Sequence, residues 1–544
     1  MAENEVRGAS GTAGPAGDGD AAPLKAGRRE WIGLAVLALP TLLLALDISV
    51  LFLALPQLGA DLQPSGTQQL WIMDIYGFMI AGFLVTMGTL GDRVGRRKLL
   101  MIGAFAFGLA SVFAAFSTSA EMLIVARALL GIAGATLMPS TLSLISNMFR
   151  DPRQRAVGIG VWMTCFSVGT AIGPVVGGIM LEFFWWGSVF LLGVPVMVIL
   201  LVLAPVLLPE YRNPNAGRLD FTSVGLSLAA ALPVVYGLKQ LAKYGLDATP
   251  LLAVLIGFAF GVAFVRRQRR LTDPLLDLQL FSNRAFSGAL CVLMLGAMTL
   301  GGANLLVPQY LQSVLGMSPL QAAFWIVPSA LGIVTGSMLA PAIARRVRPG
   351  FVVGAGLLIS ASGYLMFTQV AATGGLAVLV TGFTVAFFGL SPMLVLSTDL
   401  IVGSAPKEKA GSASAMSETS GEFGVALGVA TMGSVATAVY RTEVTGSVPD
   451  AVPGEVSRAV SDTLPGAISA VEALPAQLAA EVLEPARESF TQGLNAVGLV
   501  SALLAAGLAV TAAVLLRHVR PSAERAAEQA AAETEPVASG AGQR

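Results

Sequence analysis

The chain has 544 residues, 55% of them hydrophobic and only 12% charged, with a mean hydropathy of +0.75. Soluble domains carry roughly 25% charged residues, so the composition excludes an ordinary water-soluble fold and calls for a protein dissolved mainly in lipid. The 33 basic and 33 acidic residues cancel; no nucleic-acid partner is expected, and only the placement of charge along the chain is informative.

Residues 1–27 are Gly/Ala-rich and read as a disordered tail. They lack the short apolar core of a cleavable signal peptide. Fourteen apolar segments follow, at 31–58, 68–91, 99–118, 121–147, 156–181, 186–208, 219–238, 249–265, 285–311, 319–344, 350–370, 374–403, 411–440 and 491–516. Each is close to the ~20 residues that a bilayer-spanning helix requires. Apart from Lys239, Lys243, Arg441, Arg458, Arg487 and the intramembrane Arg127, all basic residues fall in segments on one side of that array. This bias predicts cytoplasmic termini at both ends and a multi-pass protein of the cytoplasmic membrane. The segment 441–490 is acidic and punctuated by prolines, and reads as a solvated external flap. Residues 521–544 read as a second disordered tail. Cys165 and Cys291 lie in apolar runs as packing residues, and His518 sits among arginines at the membrane margin.

Ionisable residues inside the spans mark the chemistry. The run GSASAMSETSGEFGVALGVATMGSVATAVY at 411–440 is rich in small residues that let helices approach closely. It also carries Glu418 and Glu422, which lie four apart on one helical face. An intramembrane acid costs several kcal/mol unless it meets water, a partner or a proton. The pair therefore reads as a site, the alternative being that both lie near a helix end and reach water. Asp47, Asp74 and Asp399 are further candidate intramembrane acids. Arg127 needs a buried partner; Asp47 is the first candidate and Asp74 the second, with outward snorkelling toward Glu121 as the alternative. Aromatic faces attract cations, and Trp325 and Phe423 are candidate substrate contacts.

Three motifs add specificity. GTLGDRVGRRK at 88–98 combines Gly88, Asp92, Arg93, Gly95 and Arg96, and ARRVRPG at 344–350 is a degraded copy without the acid. Arg127 is followed four residues on by Gly131. GTAIGPVVGG at 169–178 places Gly169, Gly173 and Gly177 on one face, with Pro174 and Gly178 bending the helix. Together these resemble the major facilitator superfamily, and within it the fourteen-span drug:proton antiporter branch of quaternary-ammonium and methyl-viologen exporters. The resemblance runs from about Trp31 to Arg517.

It implies an all-α integral membrane fold, with one six-helix bundle over 31–208, two linking helices over 219–265 and a second bundle over 285–516. It assigns Asp92 and Arg93 to a gate that latches one conformation, and the 169–178 motif to antiport. Asp47, Asp74, Glu418 and Glu422 become proton- and substrate-coupling acids. One departure stands out: the tenth span, LGIVTGSMLAPAIA at 331–344, lacks the acid some members carry there. The expected activity is proton-coupled efflux of lipophilic organic cations by a monomer. It needs no cofactor or metal, because the proton gradient drives it. The alternative is export of an endogenous natural product, amino acid or dipeptide. A lone histidine and two separated cysteines offer no enzyme chemistry, and no phosphate-binding Gly-rich loop with its lysine occurs.

Overall fold

A computed structural model describes residues 26–149, 151–212, 220–244, 247–271, 274, 278–405, 410–449, 452–472, 474–521 and 524. The two tails expected at 1–27 and 521–544 lie almost wholly outside these. Among the described residues the chain is helical, without strands. In order come α1 (Arg28–Leu62), α2 (Gly66–Val94), α3 (Arg96–Ala115), α4 (Ala120–Met148), α5 (Pro152–Phe183), α6 (Ser188–Leu191), α7 (Gly193–Leu207), α8 (Phe221–Tyr244) and α9 (Ala248–Gln268). They continue with α10 (Arg284–Gln309), α11 (Pro319–Ala344), α12 (Pro349–Phe367), α13 (Leu376–Gly403), α14 (Ala410–Thr445), α15 (Gly454–Asp462), α16 (Leu464–Val471) and α17 (Ala476–Leu515).

Local chemistry sets many of these ends. Ser65 with Gln68 and Ser318 with Gln321 form capping boxes at α2 and α11, and Ser119 and Asn283 cap α4 and α10. Thirteen of the described helical stretches are long and apolar enough to cross a bilayer, and α5 makes a fourteenth when its two arms count as one span. Those arms, Val157–Thr170 and Ile172–Phe183, meet at 44°. Pro174 causes the bend: it has no N–H to offer the Thr170 carbonyl, and its ring crowds that oxygen.

In the first part of the bundle α1 packs on α5 and α7, α2 on α4, and α3 on α4 and α7. In the last part α10 packs on α14, α12 on α13 and α17, and α11 on α13. Two seams join these groups, α5 against α11 and α2 against α14. The end carrying Arg93, Arg97 and Arg345 is the basic end; the opposite one, carrying α15 and α16, is the loop end. The seams are tight at the loop end. A Cβ on Gly178 would stand 2.8 Å from the Ala323 Cβ, Gly66 abuts Thr437, and Gln312 Nε2 donates to the Leu53 carbonyl at 2.9 Å. Farther toward the basic end, Gly160 on α5 and Gly421 on α14 face open space. The close contacts between the two groups thus lie toward the loop end.

Two expectations need correction. The 441–490 segment is not a solvated flap. Its prolines start short amphipathic helices whose apolar sides, Val460, Leu464 and Ala467, are buried. Pro465 packs against Gly59 of α1, and Tyr440 Oη donates to the Val460 carbonyl at 2.7 Å. Lys239, expected in an external loop, lies inside α8, because the helix continues to Tyr244 without a breaker.

The linking helices α8 and α9 are joined at the basic end by Asp220. It caps α8 through Ser223, and accepts from Arg267 of α9 at 2.8 Å. Partial burial would raise the Asp220 carboxyl, but hydrogen bonds from Arg267 and Ser223 and the Arg267 charge outweigh it and hold its pKa below the ordinary 3.8.

Candidate functional site

Helix α4 brings Arg127 into the first bundle with 2% of its side chain exposed. Its Nη1 donates to Asp47 Oδ2 of α1 at 2.8 Å, and its Nε to the Ile72 carbonyl of α2 at 3.3 Å. The guanidinium also stands 4.3 Å from the centre of the Tyr76 ring. Asp47 is thus its partner. Snorkelling does not occur, and Glu121 instead accepts from Gln68 at 2.5 Å. Asp47 borders a small apolar cavity between α1, α3, α6 and α7, lined by Leu43, Leu51, Phe107, Val189 and Phe190.

The glycine motif of α5 is what lets α1 hold Asp47 in place. Gly169 faces Leu42 and Ala45, Gly173 faces Ser49, and Gly177 faces Val50. A side chain at any of them would push α1 away. Gly178 points the other way, into α11 of the second bundle, so one short stretch serves both an intrabundle contact and a seam.

On α14, Glu418 and Glu422 are half-buried, on the same face as Gly421, where there is open space. No hydrogen bond or ion pair among the described residues engages either carboxylate. Asp399 is not a buried acid: it is exposed one turn from the basic end of α13, where water is within reach.

Asp74 has a partner that the sequence reading did not find. Lys239 Nζ of α8 lies 2.8 Å from Asp74 Oδ2, with both side chains wholly buried. The signal was present: LKQLAKY at 238–244 continues the helical spacing of the preceding apolar run without a breaker. Among the described residues the core therefore holds two intramembrane cations rather than Arg127 alone, and each is matched by an acid.

Neither proposed aromatic contact lies with the carboxylates. Trp325 is 44% exposed, on a stripe of α11 (Phe324, Leu331, Met338, Leu339) that runs outward along the helix. That stripe stays exposed even at the loop end, where the seams are shut, and so faces lipid. Phe423 packs edge-to-face on Phe78 at 5.6 Å, in the seam between α2 and α14.

In the 88–98 motif, Gly95 takes φ +117°, a conformation that favours glycine, and turns the chain sharply from α2 into α3. Among the described residues Asp92 accepts from Arg96 at 2.7 Å, while Arg96 also donates to the Pro139 carbonyl. Arg97 bonds the Leu208 carbonyl at the end of α7, Gly88 faces Pro139, and Arg93 is exposed. In this conformation the motif ties helices of the first bundle to one another. The second copy makes a parallel tie, Arg348 to the Arg517 carbonyl at 3.0 Å.

Comparison with known proteins places these features. Residues 37–429 match the family model described as Major Facilitator Superfamily. The chain is 42% identical over 490 residues to the multidrug efflux pump LfrA of Mycolicibacterium smegmatis, covering 90% of this chain and 97% of that protein. It is 32% identical over 491 residues to the methyl viologen resistance protein SmvA of Salmonella typhimurium, covering 88% and 98%. Among solved structures, a bacterial homologue of the human lysosomal transporter Spinster, inward-facing and unoccupied, superposes with a TM-score of 0.61 at 16% identity, covering 89% of this chain and 98% of that one.

Proposed function

The chain belongs to the major facilitator superfamily, which makes it a transporter rather than an enzyme, and on that premise we propose that it expels lipophilic organic cations and other amphipathic drugs from the cell in exchange for protons. The observation that carries the proposal is the Glu418–Glu422 pair: two acids on one face of α14, beside open space and without a cation partner among the described residues. Relatives named for multidrug efflux and methyl viologen resistance support the substrate class. With both ends of the chain and the basic end assigned to the cytoplasm, close seams at the loop end fit an inward-facing conformation.

A cation entering from the basic end favours the ionised carboxylates and releases their protons inward. The two bundles then rock, and the seams close at the basic end and part at the loop end. Protons arriving from the loop side neutralise the acids and free the cation outward. Moving one charge across 100 mV is worth about 2.3 kcal/mol, enough to sustain a sizeable concentration ratio. No cofactor enters this cycle, and one chain suffices for it. Asp47 and Arg127, locked together, set the electrostatics of the first bundle. Export of an anionic natural product fits less well, because the two core cations among the described residues are already neutralised.

The test is uptake of a fluorescent lipophilic cation into inverted vesicles under an imposed pH gradient. Wild type should accumulate the dye only with the gradient, Glu418→Gln and Glu422→Gln should lose most gradient-driven uptake, and Asp47→Asn should be impaired. A wild type indifferent to the gradient would remove proton coupling.

A further inference from the structure

The transport scheme leaves unused one buried interaction, that between α2 and the linking helix α8. The Asp74–Lys239 contact is fully buried on both sides. The Lys239 ammonium also lies 3.9 Å from the centre of the Trp71 ring, one turn from Asp74. Desolvating two charges is expensive, and well-packed apolar residues of similar volume often hold a fold as well or better. Strength alone therefore does not account for charges here; an ion pair adds a fixed register and a contact that can open.

Its position says what would open. α8 lies over the seam where α2 meets α14: Phe78 of α2, Leu232 and Val235 of α8, and Phe423, Ala426 and Ala430 of α14 form one apolar cluster. One turn beyond Val235, Lys239 borders a small cavity between α2 and α14, which it shares with Thr67, Ser434 and Thr437. Arg441 and Asp462, 3.8 Å apart, stand at the loop-end margin of this cavity. The ion pair thus sits in the part of the seam that must separate for the molecule to open toward the loop side.

We propose that Asp74 and Lys239 form a clasp that ties α8 across the loop-end seam and holds that seam shut. The linking helices are then working parts of the cycle rather than a passive insertion, and Asp74 takes up neither a proton nor a cation while the clasp is closed. The inference rests on the alternating-access reading given above.

A cysteine at position 434 (Ser434→Cys) reports opening, since Ser434 is buried in the closed seam and borders the cavity. It is placed in the full chain with Cys165→Ala and Cys291→Ala, purified into lipid nanodiscs, and its rate of reaction with a membrane-impermeant maleimide is measured without drug or pH gradient. Lys239→Arg keeps the charge and should label within about twofold of the parent. Asp74→Asn with Lys239→Met removes the pair without stranding a charge, and should label about tenfold faster at an unchanged unfolding temperature. Labelling of this double variant at the parental rate would overturn the clasp, as would equal acceleration by Lys239→Arg. Should the double variant fail to fold, Lys239→Gln decides in the same way: faster labelling supports the clasp and a parental rate overturns it. Because the assay uses neither drug nor gradient, failure of cation transport in vesicles would overturn the functional reading alone.

Discussion

Gly160 and Gly169 lie on the same helix, α5, and the structure gives them opposite tolerances for a methyl group. A Cβ at Gly169 would stand 2.6 Å from the Leu42 carbonyl oxygen, 2.9 Å from the Ala45 Cβ and 3.3 Å from the Leu42 Cα. Two of these are backbone atoms of α1, which no rotamer change can move. Restoring ordinary contacts of about 3.5 Å requires α1 and α5 to part by roughly half an ångström or more. Overpacking of this kind costs about 1–3 kcal/mol, and it shifts the segment of α1 that presents Asp47 to Arg127. At Gly160 nothing lies within 4 Å, and alanine there should be neutral or gain up to about 1 kcal/mol of helix propensity. The assay is thermal unfolding of the two purified variants in one detergent, followed by tryptophan fluorescence, beside gradient-driven dye uptake. Gly169→Ala should lower the midpoint and slow uptake; Gly160→Ala should do neither. Equal shifts of the two midpoints would refute the claim that close approach to α1 is what the glycine motif provides.

Two other outcomes follow from the ion pairs. Arg127→Met should destabilise the fold by about 3–5 kcal/mol, because it strands the Asp47 carboxylate in an apolar setting. Adding Asp47→Asn should recover at least half of the lost unfolding midpoint, and identical midpoints for the single and double variants would contradict the pairing. Asp220 has a folded pKa below 3.8, so the stability it lends is fully present above the ordinary carboxylate pKa and is lost as pH falls through the lower folded value. Hydrogen-exchange protection at the joined ends of α8 and α9 should therefore drop on acidification below about pH 4 in wild type. In Asp220→Asn it should be weak throughout and flat over the same range.

Much of the candidate site could be read from the chain because charge in lipid is conspicuous. Glu418 and Glu422 declared themselves as acids on one face, and Arg127 as a cation in need of a partner, by their place inside apolar runs. The signal failed at the margins of those runs. Lys239 closes an apolar segment and so resembled an exit into water, yet the helix carries it on to Asp74. Asp399 looked interior by its neighbours but lies a turn from water. Trp325 and Phe423 had the chemistry of a cation contact, but one faces lipid and the other fills a seam. The prolines of 441–490 marked breaks correctly and hid the apolar sides between them.

The sequence by itself determined the solvent, the number of spans and the existence of buried charge. Each of these follows from the residues of one segment against a hydrocarbon layer of fixed thickness. Only the tertiary structure decided which acid neutralises Arg127, that Asp74 is held by a linking helix, and which carboxylates lack a basic partner among the described residues. Those outcomes depend on how each helix is rotated and tilted against its neighbours, and stripes of small residues permit several rotations where packing selects one.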